Sequence, residues 1–424
     1  MSQEVILVLG MHRSATSLTT NILTELGLYA GSGDELLEAD SDNKKGYFER
    51  KDVIALSDKI LVENGMTWTS VRRQIEKIEI KDDTQKELEE ILIHMEKSSA
   101  GRNMVIKAPR ICITEPVWRE AIISLGMKEK AVAVFRHPYE VAMSINKRDG
   151  IGFSYALKMW YYYNCCILNS LSSLNNTDYI LINHNDYFYK SGLQIDKITK
   201  FLQIDNYNET IIKDIVDLKL YHNKIDSLFG KGNNLENMAN ELYNYMVALS
   251  DGTEKLDINQ TTKYISYLEQ LDSSFETNKS GIEPGLTEDS NYCEAKEWCY
   301  YILNNYKDTI KKSFAAYLAE KNINSISIYG NGTIAYMLFP LLQDSGIKIN
   351  KIYDKMNFKP VNYGGRTIEI TNIEDAQNNT EEIIINTVVN KHKEITDMLC
   401  NYFDTQKIIS LFRILYEMLN TSQE

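Results

Sequence analysis

Short apolar runs alternate with longer stretches of helical spacing through the first 225 residues. The runs at 4–9, 103–107, 131–135 and 178–182 are almost continuously hydrophobic, the pattern of strands buried on both faces of a parallel sheet. Each ends in a polar or proline-bearing turn. Between them, residues 15–27, 50–64, 83–98, 138–147 and 153–173 repeat apolar side chains at helical intervals. This alternation predicts an α/β unit, a parallel sheet flanked by helices on both faces. In such a unit, functional groups collect at the carboxyl ends of the strands. Arg13, Lys107 and Arg136 each follow an apolar run, so they are expected to converge.

The pattern then changes. Residues 226–321 read as a helical connector, from the spacing in YLEQLDSSF and in CEAKEWCYYILNNYKDTIKKSFAAYLAEKN. The intervening TNKSGIEPGLTEDSN is a loop. The aromatic stripe Trp298, Tyr300, Tyr301 and Tyr306 is read as packing. A second α/β unit opens with SISIYG at 325–330 and fills 322–424. Gly330, Gly332 and Ala335 form a G-x-G-x-x-A turn between a strand and a helix, and Asp354 ends the next strand 24 residues after Gly330. That context fits a nucleotide- or nucleotide-sugar-binding turn in a small Rossmann-like domain, with Asp354 on a ribose. The competing reading is a glycine turn needed only for strand–helix packing. No Tyr-x-x-x-Lys pair accompanies it, so hydride chemistry has no support. Further strands are expected at 382–386 and 407–411.

Composition narrows the field. At 43% hydrophobic and 25% charged, the 424-residue chain is ordinary for a globular protein of two or three domains. A net charge of −13 argues against general nucleic-acid binding. Cysteines 112, 165, 166, 293, 299 and 400 show no metal-type spacing, so no metal site is expected. They fit reduced thiols in a cytoplasmic compartment. No basic segment precedes the first strand and no apolar run approaches the ~20 residues of a bilayer span, so neither a signal peptide nor a membrane span is expected.

The chemistry sits in two turns. After the first strand come His12, Arg13, Ser14, Ala15, Thr16 and Ser17, then a helix. Backbone N–H groups at a helix start, hydroxyls and one guanidinium suit a phosphate-type anion. Ala15, Thr16 and Ser17 stand where a Walker loop has Gly-Lys-Ser/Thr, so the Walker lysine is missing. The second turn follows the run ending at Arg136. Pro138 takes a favoured first helical position, and Ser144 follows Arg136 by eight residues.

Together these turns resemble the sulfotransferases that use 3′-phosphoadenylyl sulfate (PAPS), especially the bacterial and tyrosylprotein types. Residues 12–17 are similar to that family's Pro-Lys/Arg-Ser-Gly-Thr-Thr loop, with Ala15 for glycine and Ser17 for threonine. Arg136 and Ser144 are similar to its 3′-phosphate pair. DNKKGYFER at 42–50 resembles its Gly-aromatic-aromatic-Glu segment, and NMVIKAPR at 103–110 its Lys-Asp-Pro strand end, with Ala108 for aspartate. The resemblance covers about residues 1–205. It implies a sulfotransferase fold, Arg13 bridging sulfate and 5′-phosphate, and Ser14, Ala15, Thr16 and Ser17 around the 5′-phosphate. It further implies Lys107 on the bridging oxygen and Glu49 as the base that accepts the acceptor hydroxyl's proton, with His12 as rival base. Arg110 is open between acceptor and cofactor, and His137 reads as structural. A Glu49 merely solvated beside Arg50 and Lys51 is the alternative for that position. If Ala15 must take a positive φ, it is strained.

The expected activity is sulfuryl transfer from PAPS to a hydroxyl, on a carbohydrate or its precursor by the company such tail domains keep; phenols and peptidyl tyrosines stay open. A P-loop kinase or phosphotransferase, and a non-catalytic scaffold, are the alternatives. For the tail domain, sugar-nucleotide binding, homo-oligomer formation and acceptor presentation all stay open.

Overall fold

The computed structural model describes residues 3–39, 46–149, 151–208, 215, 234–271, 299, 302–303, 313–342, 346–355, 360–363, 366–376, 382–388 and 392–421. Outside them fall residues 42–45 of the DNKKGYFER segment, the loop 277–291, the stripe residues Trp298, Tyr300, Tyr301 and Tyr306, and Cys293. The chain divides into two compact units, Met1–Leu61 with Arg73–Leu271 and Val62–Arg72 with Asp272–Glu424.

In the first unit, β1 (Glu4–Leu9), β2 (Met104–Lys107), β3 (Lys128–Phe135) and β4 (Tyr179–Asn183) form one sheet in the order β2-β1-β3-β4. Every pairing is parallel. The apolar runs predicted as strands are these four. Their helices are α1 (Thr16–Glu25), α2 (Lys51–Glu63), α3 (Asp82–Ser98), α4 (Ile111–Ser124), α5 (Pro138–Asp149), α6 (Phe153–Ser172), α7 (Asp186–Tyr189) and α8 (Ser191–Leu202). One sheet face, carrying Ile6, Val8, Val132, Val134 and Ile182, packs on Ile22 and Leu23 of α1 and Ile198 of α8. Leu7, Leu9, Ala133 and Phe135 alternate with those residues and are also buried, so they belong to the opposite face. Helices α4 and α6 cover β3 and each other. The fold class expected from the sequence, a P-loop-type parallel sheet flanked by helices, is the one found.

Helix α6 is the densest element, with Trp160, Tyr161, Tyr162 and Tyr163 all fully buried. It is sandwiched because residues 234–271, read in the sequence as connector, pack on this unit as α9 (Asn234–Asp251) and α10 (Ile258–Ser266). The Tyr161 hydroxyl donates to the Tyr264 carbonyl at 3.1 Å, which satisfies a phenol that would otherwise be buried unpaired. The sequence reading has no helix at α4. Pro116 and the β-branched Ile111, Ile113 and Thr114 hide its period; the proline removes one backbone bond of the helix, which is held by its packing on α6.

The second unit contains α11 (Phe314–Glu320), β5 (Ser325–Tyr329), α12 (Thr333–Leu342), β6 (Lys348–Asp354), a hairpin of β7 (Val361–Tyr363) and β8 (Arg366–Ile368), β9 (Ile370–Asn372), β10 (Ile384–Asn386), α13 (His392–Leu399), β11 (Ile408–Ser410) and α14 (Leu411–Thr421). Its parallel sheet has the order β11-β10-β5-β6-β9, a doubly wound arrangement that reverses direction between β5 and β10. Tyr329, Tyr353, Ile384, Leu399 and Phe403 form its core. Among the described residues no helix is long and apolar enough to cross a membrane.

A buried charge cluster makes the first unit sensitive to alkali. Arg119 of α4 contacts Glu115 at 2.5 Å and Glu129 of β3 at 2.7 Å, so one guanidinium serves two buried carboxyls. Burial, then the charge of Glu129, pushes Glu115 up to about 8. An acid whose pKa is raised on folding holds its proton longer in the folded state. Stability is therefore lost as pH rises from the ordinary carboxylate range through that value. Thermal melts should show Tm falling between about pH 5 and pH 8, and Glu115→Gln should flatten that slope.

Candidate functional site

The loop after β1 is shaped by close contact with β3. A Cβ on Gly10 would lie 2.6 Å from Thr16 Cγ2 and 2.6 Å from the Val134 carbonyl oxygen, so only glycine fits where the chain leaves the sheet. The Gly10 N–H points at Cys112 Sγ, 3.1 Å away. Arg13 and Ala15 then both take left-handed backbone, at φ 69° and 70°. Ala15 is the residue before α1 and has no side-chain oxygen to cap the helix, so the first-turn N–H groups suit an external acceptor. The strain anticipated at Ala15 is present.

Beside this loop, the chain after β3 supplies Arg136, and Pro138 opens α5, as the sequence indicated. Arg13 Nε donates to Ser144 Oγ at 2.8 Å, joining residues 131 positions apart. Arg136 Nη1 donates to the Arg13 carbonyl at 3.3 Å. Two further residues, which the sequence reading did not single out, fix Arg136. Glu140 accepts from its Nε at 2.7 Å, and Trp160 Nε1 donates to its carbonyl at 3.0 Å. Glu140 stands one helical turn after Arg136, a spacing that marks an ion pair in sequence. Nearby His137 and His184 are held neutral. Burial, then Arg136, brings them down to about 4 and about 3.

A second cluster forms at the end of β2. Lys107 Nζ donates to Ser17 Oγ at 3.1 Å, to the Tyr47 carbonyl at 3.0 Å, and to Glu49 Oε1. Lys107 and Glu49 are 3% and 6% exposed, so Glu49 is not a solvated surface carboxylate. Its segment is pinned by the Leu37 N–H bond to the Glu49 carbonyl at 2.8 Å and by Arg50, which grips Glu35 and Asp52. Burial lowers the Lys107 pKa, Glu49 opposes that, and Arg110 adds to it. Arg110 itself binds Asp58 at 2.5 Å. Half-buried His12 is pushed well below the ordinary histidine value by burial and by Arg148, Arg110, Lys107 and Arg13, which makes it a poor proton acceptor. Among the described residues no cluster of His, Cys, Asp or Glu is placed to hold a metal ion.

Arg13, Lys107 and Arg136 thus do gather at the carboxyl edge, with Arg13 and Arg136 at the switch point between β1 and β3. Ser14, Thr16 and Ser17 line the same turn. In the second unit, Gly330 has φ 97°, and a Cβ there would meet Thr387 and Val388 side chains at 2.8 Å. The Asp354 carboxylate accepts from the Asn331 N–H at 2.7 Å. Gly330, Gly332 and Asp354 are therefore neighbours, but Asp354 already serves the turn itself.

No protein-family model and no curated protein matches the sequence. Among solved structures, the chain is similar to the sulfotransferase domain from the Synechococcus PCC 7002 olefin synthase, at 19% identity and a TM-score of 0.37, over 58% of this chain and 95% of that one. It is also similar to the sulfotransferase domain from the curacin biosynthetic pathway, at 16% identity and a TM-score of 0.34, over 65% of this chain and 98% of that one.

Two stability experiments follow from this geometry. Ala15→Gly should fall within about 1 kcal/mol of the parent, because relief of left-handed strain is offset by backbone entropy, whereas Ala15→Val should lose about 1–2 kcal/mol in urea denaturation. Lys107→Ala strands the Glu49 carboxylate and should cost roughly 3–5 kcal/mol. Pairing Lys107→Met with Glu49→Gln should recover much of that loss in the same assay.

Proposed function

We propose that the first unit is a PAPS-dependent sulfotransferase that moves a sulfuryl group to an acceptor hydroxyl. The observation that carries this reading is the meeting of Arg13, Ser144 and Arg136 at the switch point of the sheet. A second cationic position beside the P-loop-type turn suits a donor with a separate 3′-phosphate, and ATP has none. The uncapped start of α1, with Ser14, Thr16 and Ser17, suits the 5′-phosphate. The missing Walker lysine disfavours a kinase.

When bound, PAPS supplies an activated sulfuryl group whose S–O bond to the 5′-phosphate breaks as the acceptor oxygen bonds to sulfur. Lys107 is placed beside Ser17 to offset negative charge growing on the leaving oxygen. Glu49 takes the acceptor's proton. The two roles are linked, because Lys107 and Glu49 are ion-paired. As Lys107 turns to the leaving oxygen, Glu49 loses its cation and becomes the stronger base. His12 is the weaker candidate, held neutral and short of basicity. Lys107 and Arg13 supply charge without a metal.

The acceptor class we favour is a carbohydrate or its precursor, in a reducing cytoplasmic setting that fits the buried thiols of Cys112, Cys165 and Cys166. The G-x-G turn of the second unit is offered as a nucleotide or nucleotide-sugar position in a Rossmann-like domain. Its closure by Asp354 supports the packing role equally.

Calorimetric titration with adenosine 3′,5′-bisphosphate, beside ATP and AMP, tests the donor. The bisphosphate should bind best, and Arg136→Ala should weaken it about 10- to 100-fold, the worth of charge-assisted bonds. ATP binding as well as the bisphosphate, with no response to Arg136→Ala, would sink the reading.

A further inference from the structure

Given Glu49 as the base in the reading above, we infer that Glu35 and Arg50 are positioning residues for sulfuryl transfer: their ion pair keeps the Glu49 carboxylate aimed at the acceptor hydroxyl. Residues 46–49 belong to no helix or strand, so no regular element sets the direction of Glu49. Phe48, directly before it, has left-handed backbone at φ 54°. That conformation is unfavourable for an aromatic residue and persists only where the surroundings impose it. On one side Lys107 Nζ donates to the Tyr47 carbonyl at 3.0 Å. On the other side stands Arg50.

Arg50 is 4% exposed, and its fork is taken from two directions. Nε and Nη2 donate to the two Asp52 oxygens at 3.0 and 2.6 Å, and Nη1 lies 2.9 Å from Glu35 Oε2. A guanidinium so held cannot turn without breaking an ion pair. Its backbone is fixed too, because Arg50 forms an antiparallel bridge with Leu36 and the Leu37 N–H donates to the Glu49 carbonyl at 2.8 Å. Gly31, at φ 128°, leaves the room: a Cβ there would lie 3.0 Å from Leu36 Cδ2 and 3.3 Å from Arg50 Nη1. Glu35 accepts in turn from the Ser32 N–H at 2.8 Å and the Tyr29 hydroxyl at 3.1 Å, and meets His94 Nε2 at 2.9 Å. Burial would raise the Glu35 pKa, but the Ser32 N–H, His94 and Arg50 bring it down to about 2, so the pair stays charged at neutral pH. Tyr29 ties the clamp to the sheet. Its N–H donates to the Asn103 carbonyl and its carbonyl accepts from the Val105 N–H, both at 2.9 Å, so it runs beside β2, and β2 ends at Lys107. Glu49 is therefore referenced to one strand by two routes: directly through Lys107, and through Arg50, Glu35 and Tyr29. When Lys107 turns to the leaving oxygen the first route opens, and the second alone keeps the base in place.

The test follows transfer from radiolabelled PAPS to water and to a panel of sugars and phenols, then compares variants on the fastest of these acceptors. Glu35→Gln and Arg50→Lys should each lower kcat about 10- to 100-fold, the cost of a misplaced catalytic group. The KM for PAPS and the affinity for adenosine 3′,5′-bisphosphate should move by less than about threefold. On a Glu49→Gln background the same substitutions should cost less than about threefold in kcat, because no base is left to aim. Arg50→Lys keeps the buried charge but cannot reach Asp52 and Glu35 together, and serves as the readout if Glu35→Gln misfolds. An unchanged kcat, a loss undiminished on the Glu49→Gln background, or an equal loss of bisphosphate affinity would overturn the inference and leave the donor reading intact. Glu49→Gln with full activity would remove Glu49 as the base and this inference with it. A wild type that transfers to none of the acceptors overturns the sulfotransferase reading itself.

Discussion

The Arg136 guanidinium, held against the Arg13 backbone at the ends of adjacent strands, is the constraint around which the first unit is arranged. Arg136 is buried, and a buried charge is costly unless its donors are satisfied. The fold answers with fixed partners: Glu140 on Arg136, Ser144 on Arg13, and the Arg13 carbonyl between them. Trp160, from the most deeply buried helix, holds the Arg136 backbone from below. These partners place two positive side chains at the edge between β1 and β3. The chain as a whole carries a net charge of −13, so this local field opposes the global one.

Much of this was legible in the sequence because it depends on local rules. Continuous apolar runs mark buried parallel strands, and the residue after each run must sit at the carboxyl edge. Arg13, Lys107 and Arg136 could be placed together on that basis alone. Ala15 could be flagged because a glycine position betrays itself through backbone conformation. Other features depend on contacts between distant segments. The sequence does not reveal that Arg13 turns toward α5, because that bond joins residues 131 positions apart. Nor does it separate a buried Glu49 from a solvated one, since burial comes from Lys107 and from the pinning of Arg50. Helix α4 was hidden by Pro116 and β-branched residues, whose low propensity is overridden by burial against α6. The short strands β7, β8 and β9, three residues each, are below the length at which alternation can be read.

Two buried charge clusters of the first unit behave differently. Glu49 and Lys107 are matched one to one, and Lys107 also bonds to Ser17 of the loop after β1. Glu115 and Glu129 share a single arginine, so one carboxyl retains its proton where a surface carboxyl would have lost it. The first arrangement lets charge be redistributed when a ligand arrives. The second sits between α4, β3 and α6, where Arg119 also binds the Ser170 carbonyl, and ties the layers of the fold together.

The strand order has a consequence for the chain as it is made. β1 lies between β2 and β3, and its loop is completed only when Arg136 and Ser144 arrive from the far side of the sheet. A nascent chain or proteolytic fragment that stops before Arg136 carries the whole first loop and neither Arg136 nor Ser144. Ligand affinity is therefore a property of the finished unit. On the proposed donor reading, a bound donor stabilises the assembled sheet as a whole against opening and does nothing for its parts.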